Sequence, residues 1–247
     1  MANFKQTVGS YNLTRTEIEV GGPVAATGGK LSYRLGGAYQ EEDTHRNFEH
    51  TEKSVITGAV DYRLSERTLV SANYTAIMRE GTLPFVAPVR IGEQQWVKLP
   101  RSFNPAGPEA YRSNSHSQAE LTLDHRLNDN LSLRLTGFLG NSFFDRKDPT
   151  IPNTLIVEAG TGRRLLNRTA LVESQANRDL HGMAFLLAEY GSPEKIRFRG
   201  NLALERFYEF AGVYRYVNPA ISGVAGRIDI DNPNYSLGPD SAYNVRS

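Results

Sequence analysis

The chain has 247 residues, 28 basic and 27 acidic side chains, a net charge of +1 and no cysteine. That balance gives no electrostatic case for nucleic acid, and the missing thiols exclude disulfides and thiolate metal sites. Hydrophobic residues make up only 39%, while Gly (22), Tyr (12) and Phe (11) are plentiful, a mixture that fits strands with two different faces better than a closed hydrophobic core.

No segment reads as a membrane-crossing helix. The longest apolar run, Met183 to Ala188, falls far short of the roughly 20 residues a helix needs. The start, MANFKQTVGSYN, has neither the basic nor the apolar part of a signal peptide. Strands that cross a membrane leave a weaker trace, an alternation with period two.

That alternation runs along the chain. Strands are expected over 3–10, 13–21, 30–41, 54–64, 67–79, 116–127, 130–144, 180–190 and 195–209. In the third, Leu31, Tyr33, Leu35, Gly37 and Tyr39 alternate with Lys30, Ser32, Arg34, Gly36, Ala38 and Gln40. Successive strand side chains point to opposite faces, so one face is apolar and the other polar. The pattern returns in Ile56–Tyr62, Val70–Met78, Ala119–Leu123, Leu131–Leu139 and Ile196–Leu204. Several runs reach about 10 to 14 residues, more than the usual globular strand and enough for a tilted crossing. Rings near the strand ends (Tyr33, Tyr39, Tyr62, Tyr74, Phe143, Phe144, Tyr190, Phe207 and Tyr208) resemble an interfacial girdle.

The connections are unequal. Short ones are expected near Gly21–Gly29, Leu64–Arg67, Asn128–Asn130 and Gly191–Glu194, long ones over Glu41–Glu52, Gly81–His116, Arg146–Asp179 and Ala211–Ser247. Short turns on one side and long loops on the other are the habit of outer-membrane barrels. About nine strands do not make the even count that closes such a barrel. The fold class expected is all-β: part of a transmembrane antiparallel up-and-down β-barrel occupying 1–247.

Several segments in this order resemble the TonB-dependent siderophore receptors, in particular their ferrichrome-type (hydroxamate) branch. They are Thr7-Val8-Gly9-Ser10-Tyr11, Glu19-Val20-Gly21-Gly22-Pro23, Leu31-Ser32-Tyr33-Arg34-Leu35-Gly36-Gly37, Asp61 to Thr68, Phe103-Asn104, Asp124 to Asp129 and Ile228 to Tyr235. The resemblance implies the first strands after a plug domain, in a barrel of about 22 strands. It also implies uptake of a ferric siderophore driven through the TonB–ExbB–ExbD system, in the outer membrane of a Gram-negative cell and in contact with its lipid. Neither plug nor TonB box is read ahead of Met1, and the later strands are not read either.

A siderophore brings its own iron ligands, so no cofactor is expected of the protein; the iron travels with the ligand. The receptor needs an aromatic, partly basic surface. The candidate cargo-binding residues are Phe85, nearest the position where the resembled branch has contacting aromatics, Trp96, the only tryptophan, Tyr111, Tyr214 and Tyr216. Arg90, Lys98, Arg101, Phe103 and Arg215 lie beside them. Arg34, Arg63, Arg134, Arg197 and Arg199 are expected on the polar face, paired with Asp61, Asp124 and Glu205. No HExxH pattern, calcium loop or P-loop is present, and no enzymatic activity is expected. His45 and His50, in an acidic stretch, read as a solvated loop rather than a metal site. Other readings are a TonB-dependent receptor for a cobalamin or oligosaccharide, a passive porin or structural surface barrel, and a gene fragment without function.

Overall fold

The structure, a computed structural model, describes residues 1–82, 89–91, 95–151, 154–191, 197–222, 226–239 and 242–245. In chain order its strands are β1 Ala2–Val8, β2 Thr14–Pro23, β3 Leu31–Asp43, β4 His50–Ser65, β5 Thr68–Gly81, β6 Val89–Ile91, β7 Gln95–Val97 and β8 Tyr111–Asn128. They continue as β9 Leu131–Thr150, β10 Thr154–Val157, β11 Arg164–Leu166, β12 Thr169–Gly191, β13 Arg197–Val217, β14 Ile228–Asp229 and β15 Asn244–Val245. Short 3-10 turns at Ala25–Thr27 and Pro219–Ile221 are the helical elements among the described residues.

The long strands form one sheet in the order β1-β2-β3-β4-β5-β8-β9-β12-β13-β15, each paired antiparallel with its predecessor. Residues opposite one another share a face, so a rung can be followed across the wall. One rung reads Val20, Leu35, Gly58, Tyr74, Ala119, Leu139, Leu180, Tyr208. The adjoining rung on the opposite face reads Glu19, Gly36, Thr57, Thr75, Gln118, Gly140, Asp179, Glu209. The first row is apolar, and its members stand open: Leu35 is 51% exposed and Leu180 49%. A contiguous apolar face of this breadth demands a non-aqueous cover.

The buried core lies elsewhere. Five short strands from the long connections make a second sheet, β14-β11-β10-β6-β7, in which β10 runs parallel to β6. Leu155, Leu166 and Ile228 of its strands cluster with Phe103 and Ile230, and Ala106, Ala110, Ala170 and Leu237 form a second cluster. The β3–β4 connection joins the same body: the Asn47 N–H donates to the Ser102 carbonyl (2.8 Å), and Phe48 meets Tyr235 edge to face, 5.1 Å between centroids. Arg168, 4% exposed, donates to the carbonyls of Gly226, Asn234, Tyr235 and Ser236 over 2.8–3.3 Å.

Three expectations need correction. The wall strands run further than the alternation indicated: β8 begins at Tyr111, β9 ends at Thr150, β12 begins at Thr169 and β13 ends at Val217. The long connections are more than loops, since they carry the second sheet and its core. Short and long connections do not alternate strictly: Gly9–Leu13 is a tight turn at the same end as the long ones, with Tyr11 and Asn12 in the left-handed region (φ 58° and 57°), and 44–49 spans only six residues. Asn12 Nδ2 donates to Asp43 (2.6 Å), tying that turn to the end of β3.

Candidate functional site

At the loop end of the wall, the polar face carries a band of cations. The register places Gln40, Lys53, Arg79, Asn114, Phe144 and Gln175 on one rung, and Arg112, Arg146, Glu173 and Arg215 on the next. Asp148 lies one rung further out on the same face, opposite Leu171. Arg112, Asn114, Arg146, Asp148, Glu173, Gln175 and Arg215 belong to the strand extensions, which is why the wall and not a loop fixes their directions.

The Arg112 Nη2 donates to Asp148 at 2.9 Å, the Arg146 Nη2 to Glu173 at 2.9 Å, and the Arg215 Nε to the same Glu173 oxygen at 2.9 Å. Three guanidiniums therefore meet two carboxylates, a local charge of 3 − 2 = +1. The Glu173 side chain is 8% exposed and Asp148 13%, so this charge sits partly out of water, where it is screened less. The Phe144 ring lies between Arg112 and Arg146, with the guanidinium carbons 5.2 and 5.6 Å from its centroid. The Nε groups of Arg112 and Arg146 are buried and have no acceptor among the described residues. Planar, delocalised cations with spare donors suit an anionic ligand that presents oxygen atoms in a plane.

The residues expected from the sequence fall in different places. Phe85 lies outside the described residues. Trp96, 64% exposed, lies on β7 opposite Arg90 of β6, in the outer sheet. Tyr111 and Tyr216 share a rung with Lys147 and Val172, and Tyr214 lies on the adjacent rung with Asp145 and Ser174. All three tyrosines have the parity of Leu139, on the face opposite the cationic band. Tyr111 donates its hydroxyl to Asp145 (3.1 Å). The girdle rings divide likewise: Tyr33, Tyr39, Tyr62, Tyr74, Phe143, Tyr190 and Tyr208 are on the apolar face, Phe144 and Phe207 on the polar one.

Further down the polar face, Arg134 grips Asp124 with two bonds (2.6 and 3.1 Å), Arg34 pairs with Glu19 (2.9 Å) and Arg199 with Glu189 (3.4 Å). Asp61 accepts from Ser71, and Glu205 faces His181 at 2.6 Å rather than an arginine. His50 bonds Asp43 through Nδ1 (2.8 Å). In the outer sheet, Arg163 pairs with Asp229 (2.9 Å) and Arg164 with Asp231. Each arginine holds its carboxyl below the usual aspartate range.

No protein-family model matches the chain, and no curated protein matches its sequence. Solved structures do. The ferric-catecholate import receptor Fiu of E. coli K12, in its open form, matches with a TM-score of 0.77 at 16% identity, over 99% of this chain and 38% of that one. BauA, the ferric preacinetobactin receptor of Acinetobacter baumannii, matches with a TM-score of 0.76 at 12% identity, over 99% and 35%. The ferripyoverdine receptor of the outer membrane of Pseudomonas aeruginosa, bound to ferripyoverdine, matches with a TM-score of 0.71 at 13% identity, over 88% and 28%. The chain thus spans about a third of the chains it matches. Its fold is one stretch of an antiparallel transmembrane β-barrel, with the apolar face outward and the polar face toward the lumen.

Proposed function

We propose that this chain forms part of the wall and outer mouth of a TonB-dependent outer-membrane receptor that takes up ferric siderophores. On this reading the second sheet lies outside the cell, the apolar face meets outer-membrane lipid, and transport is driven by the TonB–ExbB–ExbD system. The observation that carries the reading is the lumen-facing band of Lys53, Arg79, Arg112, Arg146 and Arg215 at the loop end, with Arg112 and Arg146 set against the Phe144 ring. Guanidiniums set against an aromatic ring, beneath a packed outer body, suit the capture of a large oxygen-rich chelate.

For the cargo, the order of sequence segments favours a ferrichrome-type hydroxamate, while the local charge of the band favours an anionic chelate. Phe85 and Trp96 are proposed as ring contacts from the β5–β8 connection. Tyr111, Tyr214 and Tyr216 are proposed as contacts made at the rim.

The test is binding to the intact receptor of ferric complexes of a tricatecholate, a trihydroxamate and an α-hydroxycarboxylate. The receptor is compared with its Arg112→Gln/Arg146→Gln and Phe85→Ala/Trp96→Ala variants. Each double variant is expected to weaken binding of one ferric complex at least tenfold. Failure to bind any of the three, or unchanged affinity in both variants, sinks the reading.

A further inference from the structure

At the loop end of β3 and β4 the outward face turns from apolar to acidic. After Tyr39 the outward positions of β3 are Glu41 and Asp43, and beside them lie Glu52 and His50 of β4 and Glu80 of β5. Glu41 faces Glu52, and Glu52 faces Glu80. Like charges directly opposite one another destabilise a sheet, and so many of them place this end beyond the hydrocarbon, on the loop side of the membrane. Among the described residues no lysine or arginine pairs with Glu41, Asp43, Glu52 or Glu80. The group among them that can carry positive charge is His50. Its Nδ1 lies 2.8 Å from Asp43 Oδ1, and its Nε2 lies 3.3 Å from Glu52 Oε1 and 3.8 Å from Glu41 Oε1. The chain of bonds extends both ways. The Tyr39 hydroxyl donates to the second Glu52 oxygen (3.1 Å), and Asn12 Nδ2 to the second Asp43 oxygen (2.6 Å). His45, in the connection itself, turns its ring to Tyr11 instead, 6.4 Å between centroids.

A neutral imidazole has one N–H and can donate to one carboxylate; its other nitrogen then turns a lone pair toward a carboxylate oxygen. Only the imidazolium makes both bonds. Their position gives them leverage. Asp43 and His50 form the last rung of the β3–β4 ladder, at the neck of the 44–49 connection. Within that connection Phe48 sits at φ 66°, a strained setting for an aromatic residue. Strain of this kind persists only while the surroundings hold it. Here the holders are the neck and the two contacts with the outer body, Asn47 N–H to the Ser102 carbonyl and Phe48 against Tyr235.

We propose that His50 is a pH-sensitive clasp: its imidazolium closes the neck of the β3–β4 connection and keeps Phe48 seated on the outer body, and its deprotonation opens the neck and loosens that contact. Asp43 above all, with Glu52 and Glu41, raises the His50 pKa above the ordinary histidine value, and His50 in turn holds the Asp43 carboxyl below the ordinary aspartate value. The clasp is therefore full between about pH 4 and about pH 6.5. It is lost as pH rises through the raised His50 value, and again as pH falls through the lowered Asp43 value. No cargo takes part, so the clasp stands or falls apart from the uptake reading.

Hydrogen exchange of a peptide covering 44–49 in the intact protein reads the clasp, when divided at each pH by the exchange of the same peptide unfolded. The side chains concerned are 38–49% exposed, so solvent screening limits the change. Protection is expected to fall about fivefold between about pH 6 and about pH 9 as His50 loses its proton. In His50→Lys the ammonium can donate to both carboxylates and stays charged over this range, so protection should hold within about twofold. His45→Gln should keep the fall of the unaltered protein. A flat profile in the unaltered protein overturns the clasp, and that measurement needs no variant to fold. A fall that persists in His50→Lys, or one that vanishes in His45→Gln, overturns it too.

Discussion

Replacing Arg168 by Met should loosen the outer body while leaving the wall intact. The guanidinium is 4% exposed and donates to four backbone carbonyls, and burial pulls its pKa down against the opposing pull of Glu109. Hydrogen bonds from charged donors contribute about 1.5–3 kcal/mol each, and a stranded buried acceptor costs about 1–3 kcal/mol. The four are not equivalent. Asn234 and Ser236 are exposed, so their carbonyls can turn to water, whereas Gly226 is buried against the Arg168 backbone and its carbonyl cannot. One full deficit plus partial losses at the others, less the relieved desolvation of the cation, gives a net loss of about 3 kcal/mol. Arg168→Lys, which keeps the charge but not the planar fork, should fall between. Hydrogen exchange of peptides covering 226–239, with β2–β4 as internal control, reads this directly. If Arg168→Met protects those peptides within about 0.5 kcal/mol of wild type, the carbonyl cage contributes nothing net, as some buried charges do when replaced by well-packed apolar groups.

Gly107→Ala should destabilise the same body by about 1–3 kcal/mol, because Gly107 sits at φ +78° and an added Cβ would come 2.7 Å from the Tyr235 Cβ; a denaturant melt followed by Trp96 fluorescence measures it. Lowering the pH should release the edge of the outer sheet. The carboxyls of Asp229 and Asp231 are held below the usual value by Arg163 and Arg164. Their contribution is therefore full above the unfolded aspartate value of about 4 and is lost as pH falls through the lower folded values. Trp96 emission should begin to change only below about pH 4, and a transition centred near neutrality would contradict the pairing. Leu139→Lys on the outward face should cost about 2–4 kcal/mol in bilayer folding titrations. Gln118→Lys, on the lumen-face rung next to it, should cost under about 1 kcal/mol.

The part of the wall that shows in the sequence is the part where the two faces differ. From Leu31 to Tyr39 and from Leu131 to Leu139, apolar and polar residues alternate, and the structure keeps that register apart from a shift between Arg126 and Asn128, opposite Leu131 and Ser132. Beyond Phe144 the strand continues through Asp145, Arg146, Lys147 and Asp148, where both faces are polar and the contrast vanishes although the pleat does not. Arg112 and Arg146 lie in such stretches, beyond the reach of the alternation. The signal that would have found them is parity counted past the end of the apolar stripe, a strand being longer than the lipid it crosses. The same count from Leu204 along β13 puts Tyr214 and Tyr216 on the outward face. The second sheet was out of reach for another reason. Its strands β6, β10 and β11 have three or four residues each, and β6 pairs with β10, as β11 does with β14, from connections far apart in the sequence, so no local period announces them.

The parallel rungs Thr154–Arg90 and Leu155–Ile91 join the connection after β5 to the connection after β9. Neither connection can then gain or lose a residue near its rung without shearing the other out of register. Surface loops usually diversify independently, each free to lengthen as variation supplies it. Here the two must drift as a pair, so insertions tolerated in related proteins should concentrate in the stretches flanking β6 and β10, and length changes in one connection should be accompanied by changes in the other.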